Sequence, residues 1–111
     1  MVKLEDINSF LKQKNVALIG VSENKSKFGN AIFKEMRTRN YSVYPIHPRL
    51  QKIDEVDCYR DIHELPEDVR AIIICTKPEN VIDILVKSVQ KGIRYVWLQQ
   101  GAESSEAITF A

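Results

Sequence analysis

Cysteine and histidine are scarce in this sequence, with two of each. Cys58 and Cys75 have no CxxC partner and no histidine at zinc-like spacing, so they read as two reduced thiols rather than a metal centre or a disulfide framework. An excess of charge of one sign is lacking as well: 16 Lys and Arg against 15 Asp and Glu leave a formal net charge of +1. That near-balance excludes the broad basic face with which a nucleic-acid binder displaces counterions from phosphates. Long apolar runs are missing too. Met1 to Phe10 interleaves Lys3, Glu5 and Asp6 with its apolar residues and lacks a signal-peptide core, and no later stretch reaches the length that spans a bilayer. Repeats and low-complexity segments are absent. The expectation is a cytoplasmic chain with neither a membrane nor a nucleic-acid partner.

What is present is ordinary for a globular protein: 44% apolar and 28% charged residues in a length of 111, which predicts one domain over residues 1–111. Apolar runs alternate with amphipathic ones. Leu4, Ile7, Phe10 and Leu11 recur at helical spacing and predict a short opening helix that ends near Lys14-Asn15. Val16-Ala17-Leu18-Ile19, closed by Gly20, has the pattern of a strand buried on both faces. Ile32, Phe33 and Met36 mark a helix ending near Arg39-Asn40. Ser42-Val43-Tyr44-Pro45-Ile46 reads as a second strand, in which Pro45 lacks an amide hydrogen and suits a strand end better than the middle of a sheet.

Residues 51–68 are ambiguous: Val56-Asp57-Cys58-Tyr59 fits a short edge strand, and Ile62-His63-Glu64-Leu65 a single helical turn. Ala71-Ile72-Ile73-Ile74-Cys75, rich in β-branched residues, is the strongest strand of the chain. Thr76 and Glu79 stand at capping-box spacing with Pro78 in the first turn, so a helix starts there, carries the stripe Val81, Ile82, Leu85, Val86 and Val89, and ends at Gly92. Tyr95-Val96-Trp97-Leu98 is the next strand, and Gly101-Ala102-Glu103-Ser104 opens a last, truncated helix.

Strand-helix-strand alternation implies parallel pairing through right-handed crossovers, hence a three-layer α/β/α, Rossmann-like domain with a mostly parallel sheet in the order 3-2-1-4-5. In that order the strand 16–19 lies beside the strand 71–75 while their connections leave toward opposite faces. A crevice opens above their carboxyl ends, and ligands of open α/β sheets bind in it. Gly20, Ser22 and Gly29 let backbone amides approach a phosphate closely, the following helix N-terminus near Gly29-Asn30 adds its dipole, and Lys25 and Lys27 carry positive charge over the same place. Tight turns and solvated lysines would account for the same residues without any ligand. The dinucleotide fingerprint GxGxxG is absent, and where a nicotinamide-binding fold ends its second strand in an acid for the ribose hydroxyls, this chain has His47-Pro48-Arg49. An acid there would repel an extra phosphate and Arg49 would attract it, which disfavours NAD and favours a nucleotide phosphorylated on its ribose.

Taken together, the segment Val16 to Asn30, the strand end Tyr44-Pro45-Ile46-His47-Pro48, the turn Thr76-Lys77-Pro78-Glu79 and the block Val96-Trp97-Leu98-Gln99-Gln100-Gly101 give the chain its resemblance to a known family. It resembles the small coenzyme A-binding proteins related to the nucleotide-binding domain of the succinyl-CoA synthetase α subunit. The resemblance implies coenzyme A or an acyl-CoA as ligand, with the phosphates cradled by Gly20, Ser22, Lys25, Lys27, Phe28, Gly29 and Asn30. It places His47, Pro48, Thr76, Lys77 and Pro78 along the adenosine, and Arg49 and Lys52 join the lysines as cations for the ribose phosphate and diphosphate. Family members usually carry a glycine before the third strand, where this chain reads Lys52-Ile53-Asp54-Glu55-Val56. The family plan also continues beyond the final helix, which here would leave Tyr95 to Leu98 as an uncovered edge, to be covered by self-association into a homo-oligomer or left as a shortened version of the plan.

Catalytic constellations are thin. His47 and His63 are the only histidines, and neither has a nucleophile at a telling spacing. Asp54, Glu55, Asp57 and Asp61 read as a solvated loop before they read as a cation site. The expectation is a binding module without catalytic or metal residues. Two alternatives are an NADP-binding, oxidoreductase-like domain that uses Arg49 for a 2′-phosphate and an accessory module of an acyl-CoA ligase.

Overall fold

A computed structural model describes residues 12–21, 28–76, 78–99 and 105–109. Its centre is β1 (Asn15–Ile19), whose Val16, Ala17 and Leu18 are wholly buried. Such a run has no polar face to offer water, so it becomes a strand covered on both sides. To one side lies β2 (Ser42–Ile46), parallel to β1 with Val16 opposite Val43 and Ile19 opposite Ile46. On the other lies β5 (Ala71–Ile74), every residue of it buried, parallel to β1 with Val16 opposite Ala71. β6 (Tyr95–Gln99) continues the parallel set beside β5, and β7 (Ser105–Thr109) borders β6 in the antiparallel sense. The observed order is β2-β1-β5-β6-β7, mostly parallel, with helices on both faces, as the alternation of runs predicts.

Two differences lie at the sheet's edges. The predicted third strand shrinks to a single parallel bridge between Tyr59 and Ile46. Its first half, Val56–Asp57, is instead β4 of a separate hairpin with β3 (Lys52–Ile53). At the far edge, the expected helix opening at Gly101-Ala102-Glu103-Ser104 lies outside the described residues, but the chain beyond Ser104 is the strand β7, with Gln99 of β6 opposite Ser105. The physical reason is visible in the pairing: without β7 the outward amides and carbonyls of β6 would be unpaired. Tyr95 to Leu98 are therefore covered within the chain.

Pro45 sits inside β2, opposite Leu18, and is fully buried. Its carbonyl accepts from the Tyr59 amide at 2.8 Å, so this residue faces the outer side of β2, where pairing is limited to the one bridge. The missing amide hydrogen falls on the side that needs it least.

Helix α1 (Phe28–Thr38) covers one face through Phe33, which packs with Val16, Leu18, Val43 and Ile73. Helix α2 (Pro78–Lys91) covers the other through Val81 and Ile84, against Ala17, Ile72, Ile74, Val96 and Leu98. The alternation of a strand's side chains explains this division: Ala71 and Ile73 serve one core, Ile72 and Ile74 the other. Both helices end in the same hydrogen-bonded motif. Tyr41 and Asn40 amides return to the Met36 and Arg37 carbonyls with Asn40 at φ 68°, and Ile93 and Gly92 amides return to Ser88 and Val89.

The apolar stripe of α2 is rotated from the sequence expectation. Ile82, Val86 and Val89 are exposed, and the buried line is Val81, Ile84 and Ser88 with Leu85 at its margin. The helix has more apolar residues than one face can hold, so periodicity alone does not choose between neighbouring stripes. Ser88 tolerates full burial because its hydroxyl donates to the Ile84 carbonyl at 2.7 Å. The predicted opening helix with Leu4, Ile7, Phe10 and Leu11 lies outside the described residues. Among the described residues no helix is long and apolar enough to cross a membrane.

Candidate functional site

The carboxyl ends of β1, β2 and β5 open on one side into a cleft of about 390 Å³. Ile19, Gly20 and Val21 form part of its floor, Ile46, His47 and Pro48 one side, and Thr76 the end next to β5. The crossover to α1 leaves β1 on one face of the sheet and the crossover to α2 leaves β5 on the other, so the cleft occurs where connections diverge.

Two glycines let the helix start come this close. Gly20 has φ +123°, and a Cβ on it would meet the Cys75 carbonyl oxygen and come within 2.7 Å of the Cys75 Cβ. A Cβ on Gly29 would run into the Gly20 carbonyl. The first turn of α1 thus rests directly on the end of β1, with Asn30 buried at the same place. The loop's glycines therefore have a packing requirement of their own, apart from any ligand.

His47 is oriented by its own turn. Its Nδ1 accepts from the Arg49 amide at 3.0 Å and from the Leu50 amide at 2.9 Å. A nitrogen that accepts carries no proton, so the neutral ring keeps its hydrogen on Nε2. Cys75 is joined to β1 by its amide, which donates to the Ile19 carbonyl at 2.9 Å. Burial pushes its thiol up to about 11. Cys58 is raised also, by burial first and then by the Asp57 carboxylate. Neither thiol is in the state that makes cysteine a nucleophile near neutral pH.

Of the residues singled out in the sequence, Gly20, His47, Pro48 and Thr76 line the cleft together. Gly29 and Asn30 stand in the first turn of α1, which Phe28 opens, and Pro78 opens α2. Ser22, Lys25, Lys27 and Lys77 lie outside the described residues. Arg49 and Lys52 are exposed and neither forms part of the cleft wall. In the wall stand residues that the sequence did not assign to this cleft: Arg60, Asp61, which read there as part of an acidic loop, and Ile62, at the start of a short 3₁₀ turn (Ile62–Glu64), and Asn80, Asp83, Ile84 and Lys87 on α2. The α2 group recurs at i, i+3, i+4 and i+7, one helical face, and that periodicity was a signal available in the sequence. Lys87 Nζ lies 3.6 Å from Asp61 and 3.5 Å from Asp83. The acidic run Asp54, Glu55, Asp57 and Asp61 does not converge: among the described residues no three metal-ligating side chains come together.

The arrangement is an aliphatic floor with a polar rim, the general make-up of a small-molecule site. Residues 14–111 match the family model described as a CoA binding domain. The ADP-forming acetate–CoA ligase of Methanocaldococcus jannaschii is 31% identical over 81 residues, 73% of this chain and 12% of the ligase. Ligase II of the same type from Archaeoglobus fulgidus is 30% identical over 93 residues, 82% of this chain and 14% of the ligase. The chain thus spans about an eighth of the length of these two relatives. A conserved hypothetical protein of Pyrococcus furiosus has a solved structure that superposes with a TM-score of 0.75 at 35% identity, over 82% of this chain and 78% of that one. On the match over residues 14–111 and these relatives, the chain belongs to the CoA binding domain family.

Proposed function

We propose that the chain binds coenzyme A, free or acylated, in the cleft above β1, β2 and β5, and that it acts as a binding module. The observation that carries this reading is the convergence of Gly20, His47, Pro48 and Thr76, from three separate strand ends, on one cleft in a chain of this family. In this reading the loop 20–30 and the N-terminus of α1 take the diphosphate, with Gly20, Ser22, Lys25, Lys27, Phe28, Gly29 and Asn30 around it, and His47, Pro48, Thr76, Lys77 and Pro78 flank the adenosine. In this reading the module holds its ligand without turning it over, and His47, the one imidazole among the described residues of the cleft wall, serves as a wall residue held by its own turn.

Calorimetric titration with coenzyme A and NAD tests the reading. A dissociation constant of about micromolar order is expected for coenzyme A, as several charge-assisted contacts support. Coenzyme A that fails to bind, or NAD that binds more tightly, sinks it. Lys25→Ala and Lys27→Ala should each weaken coenzyme A; unchanged affinity in both would reject the loop's role.

A second reading is favoured by the ligases that the chain resembles over about an eighth of their length. Here the domain is an accessory module of an acyl-CoA ligase, presenting coenzyme A to chemistry carried elsewhere. Both readings expect no acyl-CoA from this chain alone given acetate, ATP and coenzyme A. Its formation would refute both.

A further inference from the structure

The cations around the cleft are of two kinds. Lys87 is already answered by Asp61 and Asp83, both within 4 Å of its ammonium. Arg60 lines the same wall, and among the described residues no carboxylate pairs with it. The four charged residues of the wall, Arg60, Asp61, Asp83 and Lys87, sum to zero. Without Arg60 the sum is −1.

Arg60 is also the better anchored arginine. The residue before it, Tyr59, donates its amide to the Pro45 carbonyl at 2.8 Å and accepts at its own carbonyl from the His47 amide at 2.8 Å. The Tyr59 ring lies against Tyr44, with centroids 5.9 Å apart. Two residues later Ile62 is fully buried. The backbone at Arg60 is therefore fixed from both sides and leaves the sheet next to His47. Arg49 and Arg60 are both exposed, but Arg49 sits in the turn beyond Pro48, where its amide donates to His47 Nδ1, and only Arg60 forms part of the wall. A guanidinium offers a planar fork of donors to phosphate oxygens, and one carried on a fixed backbone beside the cleft starts from a defined position.

We infer that Arg60, rather than Arg49, reads a phosphate on the ligand's ribose and sets the preference of this cleft for ribose-phosphorylated adenine nucleotides. The inference rests on the coenzyme A reading of the cleft. Asp61 and Asp83 sharpen it, because a phosphate arriving without Arg60 meets two carboxylates and a single ammonium that they already hold.

The test titrates the full chain and its variants with coenzyme A and 3′-dephospho-coenzyme A. The unmodified protein should prefer coenzyme A by about ten- to a hundredfold, the range that one charge-assisted contact covers. Arg60→Gln should bring the ratio to unity or below and leave the dephospho ligand within about threefold of its original affinity, a readout that also shows the variant folded. Arg60→Lys, which keeps the charge and loses the fork, should fall between. Arg49→Gln should keep the original ratio. A ratio that survives Arg60→Gln, or one abolished by Arg49→Gln, overturns the inference. Equal affinity of the unmodified protein for both ligands overturns it too, with the coenzyme A reading intact. If neither ligand binds the folded protein, that reading falls and the inference with it.

Discussion

Replacing Gly20 by alanine tests whether the closeness of β1, β5 and α1 is a requirement of the fold. The new Cβ would stand 2.7 Å from the Cys75 Cβ and 2.9 Å from the Cys75 carbonyl carbon, and these atoms belong to a strand end that cannot swing away. Overpacking of a rigid site costs about 1 to 3 kcal/mol. A non-glycine residue at φ +123° adds about 1 to 3 kcal/mol of backbone strain, for a total of about 2 to 6 kcal/mol. Gly92→Ala is the matched control: φ is +91° and nothing lies within 4 Å of the added atom, so only the backbone cost remains, about 1 to 2 kcal/mol. Urea unfolding followed by the fluorescence of Trp97, the chain's one tryptophan, measures both. With a slope of about 1.5 kcal/mol per molar urea, the midpoint should fall by about 1.3 to 4 M for Gly20→Ala and about 0.7 to 1.3 M for Gly92→Ala. Equal midpoints would refute the steric argument.

Two further perturbations address single features. In the β3–β4 hairpin Asp54 and Glu55 both have positive φ, 47° and 69°, the pattern of a two-residue turn that favours glycine at its second position. Glu55→Gly should raise stability by about 0.5 to 1 kcal/mol in the same urea assay, and a loss would mean that the Glu55 side chain contributes more than its strain costs. The Cys75 thiol releases its proton near the ordinary value of 9.0 when unfolded and near 11 when folded. Between those values the unfolded chain holds fewer protons, so stability should decline as pH rises from about 9 to about 11, and Cys75→Ala should flatten that decline. In a Cys58→Ser background, iodoacetamide at pH 8 should modify native Cys75 about a hundredfold more slowly than the unfolded chain; equal rates would contradict the burial.

The sheet was legible because its central strands bury both faces and announce themselves as unbroken apolar runs, as in Val16 to Ile19 and Ala71 to Ile74. Helix ends were legible where a left-handed residue stops the helix, at Asn40 and Gly92. The side of α2 that faces the core was not, since Ile82, Val86 and Val89 are as apolar as the residues that are buried. The same rotation hid the part of the site that α2 supplies: Asp83 and Lys87 look like solvated charges until α2 is placed with that face toward the cleft. Arg60 and Asp61 were hidden for another reason. Their position depends on a single bridge between Tyr59 and Ile46, a long-range contact that no local pattern encodes. Residues 105–109 show the limit of propensity at an edge, where the partner strand decides the conformation.

Pro45 has a consequence for how copies of this molecule can meet. A sheet grows from copy to copy only if both of its borders accept strands, since each addition must use one border and offer the other. On the β2 side the missing amide hydrogen and the Tyr59 bridge leave no continuous row of donors and acceptors to copy. Strand addition therefore has nothing to template on at the β2 border of the described sheet. One buried proline, with the bridge beside it, thus makes that border a dead end for a second sheet.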